Sequence, residues 1–95
     1  MKSLITHFDG ITSDGHGGYN LTGDQLSVGE QTEGGFFANI RRDKCGRFKR
    51  DAYWEPIQVP NQLITSGNSV DRKIVIGVYT APNDDGVHGF VSVPA

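Results

Sequence analysis

Apolar and polar residues alternate along several short segments of this chain, a pattern typical of strands with one buried face. Lys73–Ala81 (KIVIGVYTA) is the clearest example, and Phe36–Arg42 also alternates. The other predicted strands are Leu4–Phe8, Gln25–Thr32, Arg47–Trp54, Glu55–Val59 and Val87–Val93. The pattern predicts an all-β protein with seven or eight short antiparallel strands, arranged as a sandwich, a barrel or propeller blades.

Glycine and proline divide the chain into short pieces. There are 13 glycines and 4 prolines, and the longest stretch without either is the ten residues 36–45. Helices average roughly eleven residues and tolerate both residue types poorly, so helices are at most minor here. Turns are predicted at 9–18, at 43–46 and at 82–86. Pro56 predicts an edge strand, because proline cannot donate to a β-ladder.

An internal repeat organises the chain. The alignment matches Phe8 with Ile57, Asn20 with Asn68, Leu26 with Ile74, Val28 with Ile76, Gly29 with Gly77, Thr32 with Thr80, and Gly35-Phe36 with Gly89-Phe90. The offset is 48 residues through the middle and 54 after a longer turn in the second copy. It predicts repeat units at about 4–48 and 53–95, in which Gly29 and Gly77 correspond and Phe36 and Phe90 are both buried. Chance agreement between two glycine-rich strands is the alternative.

The second copy, GNSVDRKIVIGVYTAPNDDGVHGFVSV, resembles the repeat of the bacterial HAF extracellular repeat family. The matching positions are Asn68, Ile74, Ile76, Gly77, Tyr79, Thr80, Gly86, His88, Gly89 and Phe90. WEPIQVP is similar to the strand that precedes this repeat in the family. In the first copy, Gln31 replaces the tyrosine and Gly34 stands near the histidine position. The resemblance implies a β-rich repeat, usually found in long secreted arrays, and it carries no activity or site residues to this chain.

Two copies are few for a repeat protein. Repeat units rarely bury their apolar faces alone, and about three or more stacked units are usually needed. The two copies therefore either close on each other as a compact barrel or sandwich with pseudo-symmetry, or several chains associate to cover the sheet edges. We expect a homo-oligomer.

Length and composition indicate one domain over residues 1–95. We expect no membrane segment, because no stretch approaches the roughly 20 apolar residues that a spanning helix needs. The start, MKSLITHF, lacks the apolar core of a signal peptide. Cys45 is the only cysteine, so an internal disulfide is excluded. We expect synthesis in the cytoplasm and folding in a reducing compartment, although a protein released by lysis would have the same features.

Charge is concentrated in one segment. Residues 41–51 (RRDKCGRFKRD) carry six Lys/Arg and two Asp, whereas the whole chain has a net charge of −2. This basic hairpin, with Arg47, Lys49 and Arg50, is a candidate contact for phosphate or for an acidic protein surface. The alternative is a solvated hairpin whose charges protect a strand edge. The overall negative charge argues against dedicated nucleic-acid binding.

Candidate catalytic and metal-binding groups are sparse. Asp9, Asp14 and His16 lie in a glycine-rich segment that favours a turn over an acid–base pair or a metal site. Asp84 and Asp85 lack the ligand spacing of a calcium loop. Cationic neighbours favour a reactive Cys45 thiolate, but no histidine lies close to it in sequence. We therefore predict no enzyme activity, no cofactor and no metal.

The aromatic pair Tyr53 and Trp54 offers two interpretations. Aromatic faces stack on sugars, so the pair is a candidate carbohydrate site. Alternatively, Trp54 anchors the core or a subunit interface, where tryptophan is enriched. Alternation through Phe48 and Ala52 places Trp54 on the apolar face of its strand, and Arg47, Lys49 and Tyr53 on the other.

Three function classes follow from these features. The first is a non-enzymatic, self-associating assembly or binding module, such as a structural or coat-associated component. The second is a carbohydrate-binding module with its site at Tyr53 and Trp54. The third is a small inhibitor-type protein that binds a nucleic-acid-binding or acidic surface through the basic hairpin at 41–50. Native mass, glycan binding and the salt dependence of binding separate the three.

Overall fold

The computed structural model describes residues 4–27, 33–59, 64–80 and 86–94. Within these residues the protein is all-β and contains no helix. The strands are β1 (Leu4–Ser13), β2 (Tyr19–Ser27), β3 (Gly34–Ile40), β4 (Tyr53–Ile57), β5 (Ile64–Asp71), β6 (Ile74–Thr80) and β7 (Val87–Ser92). They form a four-stranded sheet in the order β1-β2-β3-β4 and a three-stranded sheet in the order β5-β6-β7. The predicted all-β class is confirmed, and two sheets are compatible with a sandwich.

The first strand is longer than the sequence pattern predicts. The predicted loop begins at residue 9, but β1 continues to Ser13 through a β-bulge. Phe8 pairs with Gly23 and Gly10 pairs with Thr22, so Asp9 is the extra residue. A bulge shifts the alternation by one residue. For this reason the apolar alternation breaks off at Phe8 when the strand is read from sequence alone.

In the middle of the chain, the structure differs from the sequence prediction at a second strand boundary. Residues 43–46 turn as predicted, and the Asp43 carboxylate accepts hydrogen bonds from the backbone N–H groups of Cys45 and Arg47. The predicted strand Arg47–Trp54 is wrong, because β4 begins only at Tyr53. The chain there makes only an isolated bridge between Arg42 and Phe48. As predicted, Pro56 lies in an edge strand.

The second sheet lies against the first through β5, a strand that the sequence pattern did not predict. β5 contacts β1, β2 and β3. A side chain at Gly67 would collide with Thr22, and one at Gly10 would come within 2.8 Å of the Asn68 carbonyl oxygen. These glycines let the two sheets approach closely, because they remove the side chains between the backbones.

The apolar core lies between the two sheets. It consists of Phe37 from the first sheet and of Val70 and Val75 from the second, with Ile57 and Phe90 packed against them. The backbone N–H of Thr65 donates to the carbonyl oxygen of Glu33 at 2.9 Å and joins the sheets at one end. The face of each sheet that meets the other is called its inner face, and the opposite one its outer face.

The hydrogen-bond registers show how the two sheets correspond. Gly23 of β2 pairs with Phe36 of β3, and Gly77 of β6 pairs with Phe90 of β7, a constant offset of 54 residues. Opposite these glycines, β1 and β5 each carry a bulge, whose extra residues are Asp9 and Asn68. Thus β1-β2-β3 and β5-β6-β7 repeat one another. β4 has no counterpart among the described residues.

This register corrects part of the sequence alignment. The match of Phe36 with Phe90 agrees with it, but Gly77 corresponds to Gly23, not to Gly29. Gly29 lies outside the described residues. Phe36 is buried as predicted, with 1% of its surface exposed, whereas Phe90 is only partly buried. The 48-residue offset failed because it compared apolar residues without knowing which strands pair. The unit boundaries 4–48 and 53–95 stay a prediction.

Candidate functional site

Three aromatic side chains cluster on the outer face of the first sheet. Phe36 lies at the centre, with its ring centroid 5.6 Å from that of Phe8 and 4.7 Å from that of Trp54. Phe36 is almost fully buried, yet Phe8 remains 56% exposed and Trp54 44% exposed. We call these three residues the aromatic face. It presents a large apolar surface to solvent, and exposed patches of this kind mark interaction sites.

A glycine explains how rings from different strands come together. Gly23 lies between Phe8 and Phe36 in the register of the first three strands. Because glycine has no side chain, the two rings meet edge to face across β2. A cavity of about 610 Å³ adjoins this cluster. It is lined by Thr6, Phe8, Gln25, Phe36, Trp54, Glu55 and Pro56.

The second sheet exposes a different apolar surface. Ile76 and Val91 are cross-strand partners on its outer face, and they are 54% and 63% exposed. Val87, near the end of the same face, is also exposed. We call these three residues the aliphatic face. Sequence analysis did not single it out, because alternation predicted which residues share a face but not that both faces of this sheet are apolar.

Tyr53 and Trp54 do not form one aromatic site. They are consecutive residues of β4, so their side chains point to opposite faces of the sheet. Tyr53 lies on the inner side, where its ring is 6.1 Å from that of Phe37. The hydrogen bond that its hydroxyl donates to Glu55, at 2.9 Å, raises the pKa of Tyr53. The two rings therefore do not form one stacking surface, as the alternation predicted, and a carbohydrate-binding role for these residues stays a prediction.

Tyr53 instead lines a polar groove of about 600 Å³. The positively charged side chains of this groove are Arg41, Lys49, Arg72 and Lys73. The ammonium of Lys73 lies 5.6 Å from the centre of the Tyr53 ring. Asp14 and Asp51 offset part of the positive charge. Of the predicted site residues, the groove brings together only Lys49 and Tyr53.

The basic segment at 41–50 is exposed throughout. Arg47 and Arg50 therefore lie on the surface, as predicted. Arg42 places its guanidinium 4.7 Å from the centre of the Phe48 ring, and Phe48 lies 6.1 Å from Tyr19. Phe48 does not share a strand with Trp54, so the predicted alternation from one to the other does not hold. Trp54 nevertheless lies on an apolar sheet face.

Comparison with known proteins adds no identification. No family model, no curated protein and no solved structure matches the chain. The resemblance of the second copy to the HAF repeat stays a prediction. Among the described residues there is no helix long and apolar enough to cross a membrane, and no group of three His, Cys, Asp or Glu side chains suited to hold a metal ion.

Asp14 organises the turn between β1 and β2. Its carboxylate accepts hydrogen bonds from the side-chain amide of Asn39 at 3.0 Å and from the backbone N–H groups of His16 and Gly18 at 2.7 and 2.9 Å. These hydrogen bonds lower the pKa of Asp14 from 3.8 to about 2, and the bond from Asn39 has the largest effect. The nearby Arg41 guanidinium also lowers this pKa. Both carboxylate oxygens are thus engaged within the protein, which favours the turn interpretation over an acid–base pair with His16.

This geometry predicts a specific acid response. Because the folded pKa of Asp14 lies below its ordinary value, the ionised carboxylate stabilises the fold above pH 3.8, and this stabilisation is lost as the pH falls toward 2. An NMR titration of the Asp14 carboxyl should give a midpoint of about 2. Asp14→Asn should remove this part of the pH dependence of unfolding. A midpoint at 3.8 or above would contradict the assignment.

A serine, a histidine and an aspartate also meet, but not in a catalytic order. The Asp24 carboxylate lies 2.9 Å from Nδ1 of His7 and accepts a hydrogen bond from the Ser66 hydroxyl at 2.9 Å. In a nucleophilic triad the serine contacts the histidine, which takes its proton. Here Ser66 donates to the carboxylate instead. The cluster joins β1, β2 and β5, so it fastens the second sheet to the first.

Proposed function

We propose that this protein is a non-enzymatic, self-associating β-module that serves as a structural component of an assembly. The observation that carries the proposal is the pair of exposed apolar surfaces, the aromatic face and the aliphatic face. They lie on the outer faces of two different sheets, so the chain offers two separate apolar contacts. A second copy can cover them without any further protein.

The size and character of the exposed side chains support this proposal. Phe8, Trp54, Ile76 and Val91 are all large apolar residues with about half or more of their surface in water. Covering such a surface stabilises an assembly by roughly 25 cal/mol per Å² before the cost of association is subtracted. Tryptophan is among the most frequent binding hot spots. Trp54 packs on Phe36, the central ring of the aromatic face, and keeps 44% of its surface exposed.

The polar clusters support a catalytic function less well than the apolar faces support self-association. Asp14 is bound by the turn that it organises, and Ser66 donates to a carboxylate in place of a histidine. The basic segment is solvated, and exposed charges contribute little binding energy unless a partner desolvates them. The apolar faces therefore support a function better than either polar cluster does.

The proposal predicts a large effect of Trp54→Ala on assembly. Sedimentation of the wild-type protein near physiological salt should show a species heavier than one chain. Removing the indole should weaken association about 30-fold or more, since loss of a buried hot spot commonly costs about 2 kcal/mol. The salt dependence of assembly should change little, because the contact is apolar.

The matched control replaces Arg47, Lys49 and Arg50 with glutamine, which removes their positive charges. These side chains are exposed, so the fold should remain intact and assembly should change less than about threefold, the equivalent of a typical exposed ion pair. A wild-type protein that stays monomeric at high micromolar concentration contradicts the proposal. Assembly that survives Trp54→Ala but disappears in the triple variant would instead favour an electrostatic contact through the basic segment.

A further inference from the structure

The two exposed faces are not equivalent, and the internal repeat shows how they are related. Thr22 and Phe37 lie on the inner face of the first sheet, where Thr22 contacts Gly67 and Phe37 joins the core. With the 54-residue offset, their counterparts in the second sheet are Ile76 and Val91. These two residues lie on the outer face. The buried face of the first sheet thus corresponds to the exposed face of the second.

The converse holds for the other two faces. Val75 and Phe90 face the core from the second sheet. Their counterparts in the first sheet are Leu21 and Phe36, which lie on its outer face. Within one chain, the inner face of the first sheet, with Thr22 and Phe37, packs on the inner face of the second sheet, with Val75 and Phe90. Through the repeat, the outer face of the second sheet corresponds to the first of these faces, and the outer face of the first sheet corresponds to the second. Both outer faces are left uncovered.

From this correspondence we infer that a second copy of this chain seats its aliphatic face on the aromatic face of the first, head to tail. The inference rests on the proposed function and specifies its contact. This contact between two chains repeats the packing that joins the two sheets within one chain. It is a heterologous contact, so repetition closes a ring or extends a filament, depending on the rotation between copies.

The chemistry of the two faces fits this contact. Apart from its turns, the outer face of β6 and β7 carries Ile74, Ile76, Val78, Thr80, Val87, Gly89 and Val91. The outer face of the first sheet likewise presents uncharged side chains along its paired strands, with Phe8, Ile11, Leu21, Phe36, Ala38 and Trp54 among them. The charged residue nearest the aliphatic face is Asp71 of β5, the cross-strand partner of Ile74, and its side chain is 77% exposed and lies 3.7 Å from the Arg72 guanidinium.

One difference sets the spacing between copies. Phe8 occupies, on β1, the position that Gly67 occupies on β5, because the bulges at Asp9 and Asn68 correspond. Gly67 lets Thr22 approach closely within the chain. Between chains the corresponding pair is Phe8 and Ile76. The intermolecular contact is therefore wider than the intramolecular one, with the phenyl ring and the isoleucine filling the space.

The area of one face explains why both are needed. The four strands of the first sheet have five to ten residues. At about 3.3 Å per residue and about 4.8 Å between strands, they project roughly 300–600 Å². A standard stable interface buries about 800 Å² per partner. One such contact is modest alone, and a chain that uses both faces in a closed ring doubles the covered area.

Complementary single-face variants test the inference. Phe8→Lys places a charge on the aromatic face, and Ile76→Lys places one on the aliphatic face. Both side chains are more than half exposed. In a head-to-tail contact, each variant alone should lose self-association at least tenfold. An equimolar mixture should form a 1:1 pair at least tenfold more strongly than either variant alone, because the two intact faces still meet. Sedimentation equilibrium at several hundred micromolar measures all three samples.

The outcomes separate this inference from the proposed function. If the wild-type protein associates but only one of the two variants is impaired, the contact joins like faces and the inference is wrong, while self-association stands. The same holds if both variants are impaired and the mixture gives no gain. A monomeric wild-type protein overturns both. Ile11→Lys and Val91→Lys, at two further exposed positions of the same faces, replace either variant that does not fold.

Discussion

Gly23→Ala is expected to lower the free energy of unfolding by about 3 kcal/mol, a large part of the 5–15 kcal/mol that holds a small domain together. A β-carbon at this position would collide with the carbonyl oxygen of His7. His7 belongs to the neighbouring strand, so the obstacle is backbone held in the β1–β2 ladder and not a side chain that can rotate away. Urea unfolding followed by circular dichroism measures the loss.

Gly89→Ala is the matched control. Gly89 lies in β7 and is exposed, and an added β-carbon there would meet only the Gly77 carbonyl oxygen at an ordinary 3.8 Å. The change in unfolding free energy should stay within about 0.5 kcal/mol. Equal losses for both variants would show that glycine matters through chain flexibility alone, and would contradict the close approach at Gly23.

Phe37→Ala is expected to cost about 3–5 kcal/mol, because it removes a large side chain from the core between the sheets. Phe37 is 3% exposed and packs with Val70 and Val75. Since these partners come from the second sheet, the cavity would also loosen the contact between the sheets. Thermal unfolding should show the midpoint falling by roughly 4–8 °C per kcal/mol for a domain of this size.

Phe48→Ala provides the same substitution at a surface position. Phe48 is 49% exposed and contacts Arg42 and Tyr19 outside the core. Because the ring lies at the surface, its loss should lower the free energy of unfolding by less than about 1 kcal/mol. If Phe48→Ala were as damaging as Phe37→Ala, the core would not lie between the two sheets as described.

The strands that face the core through apolar residues were the easiest to predict. Alternation predicted the bounds of β3, β6 and β7 to within one or two residues, because each strand carries large apolar side chains at alternate positions. β5 was missed for the opposite reason. It lies close against the first sheet and uses Thr65 and Gly67 there, and such small residues resemble a turn in sequence.

The aromatic face illustrates a different limit of sequence analysis. The alternation of a strand is sufficient to place Tyr53 and Trp54 on opposite faces, and it predicted that Trp54 lies on the apolar side. It could not show that Phe8 and Phe36 join Trp54, because this depends on strand order and on the register that puts Gly23 between the two phenylalanines. The bulge at Asp9, invisible in the apolar pattern, fixes that register.

The order of strands along the chain has a consequence for how the molecule folds. In both sheets every strand pairs with its immediate neighbour in sequence, and the longest connection, between β3 and β4, covers residues 41–52. Closing such local connections costs less chain entropy than joining distant segments. The contacts of β5 with β1, in contrast, join residues nearly sixty positions apart, as at Gly10 and Asn68. Local contacts form faster than distant ones. We therefore expect the two sheets to form separately. The slow step of folding is then the docking of β5 on the first sheet, where Gly10 and Gly67 allow the close approach.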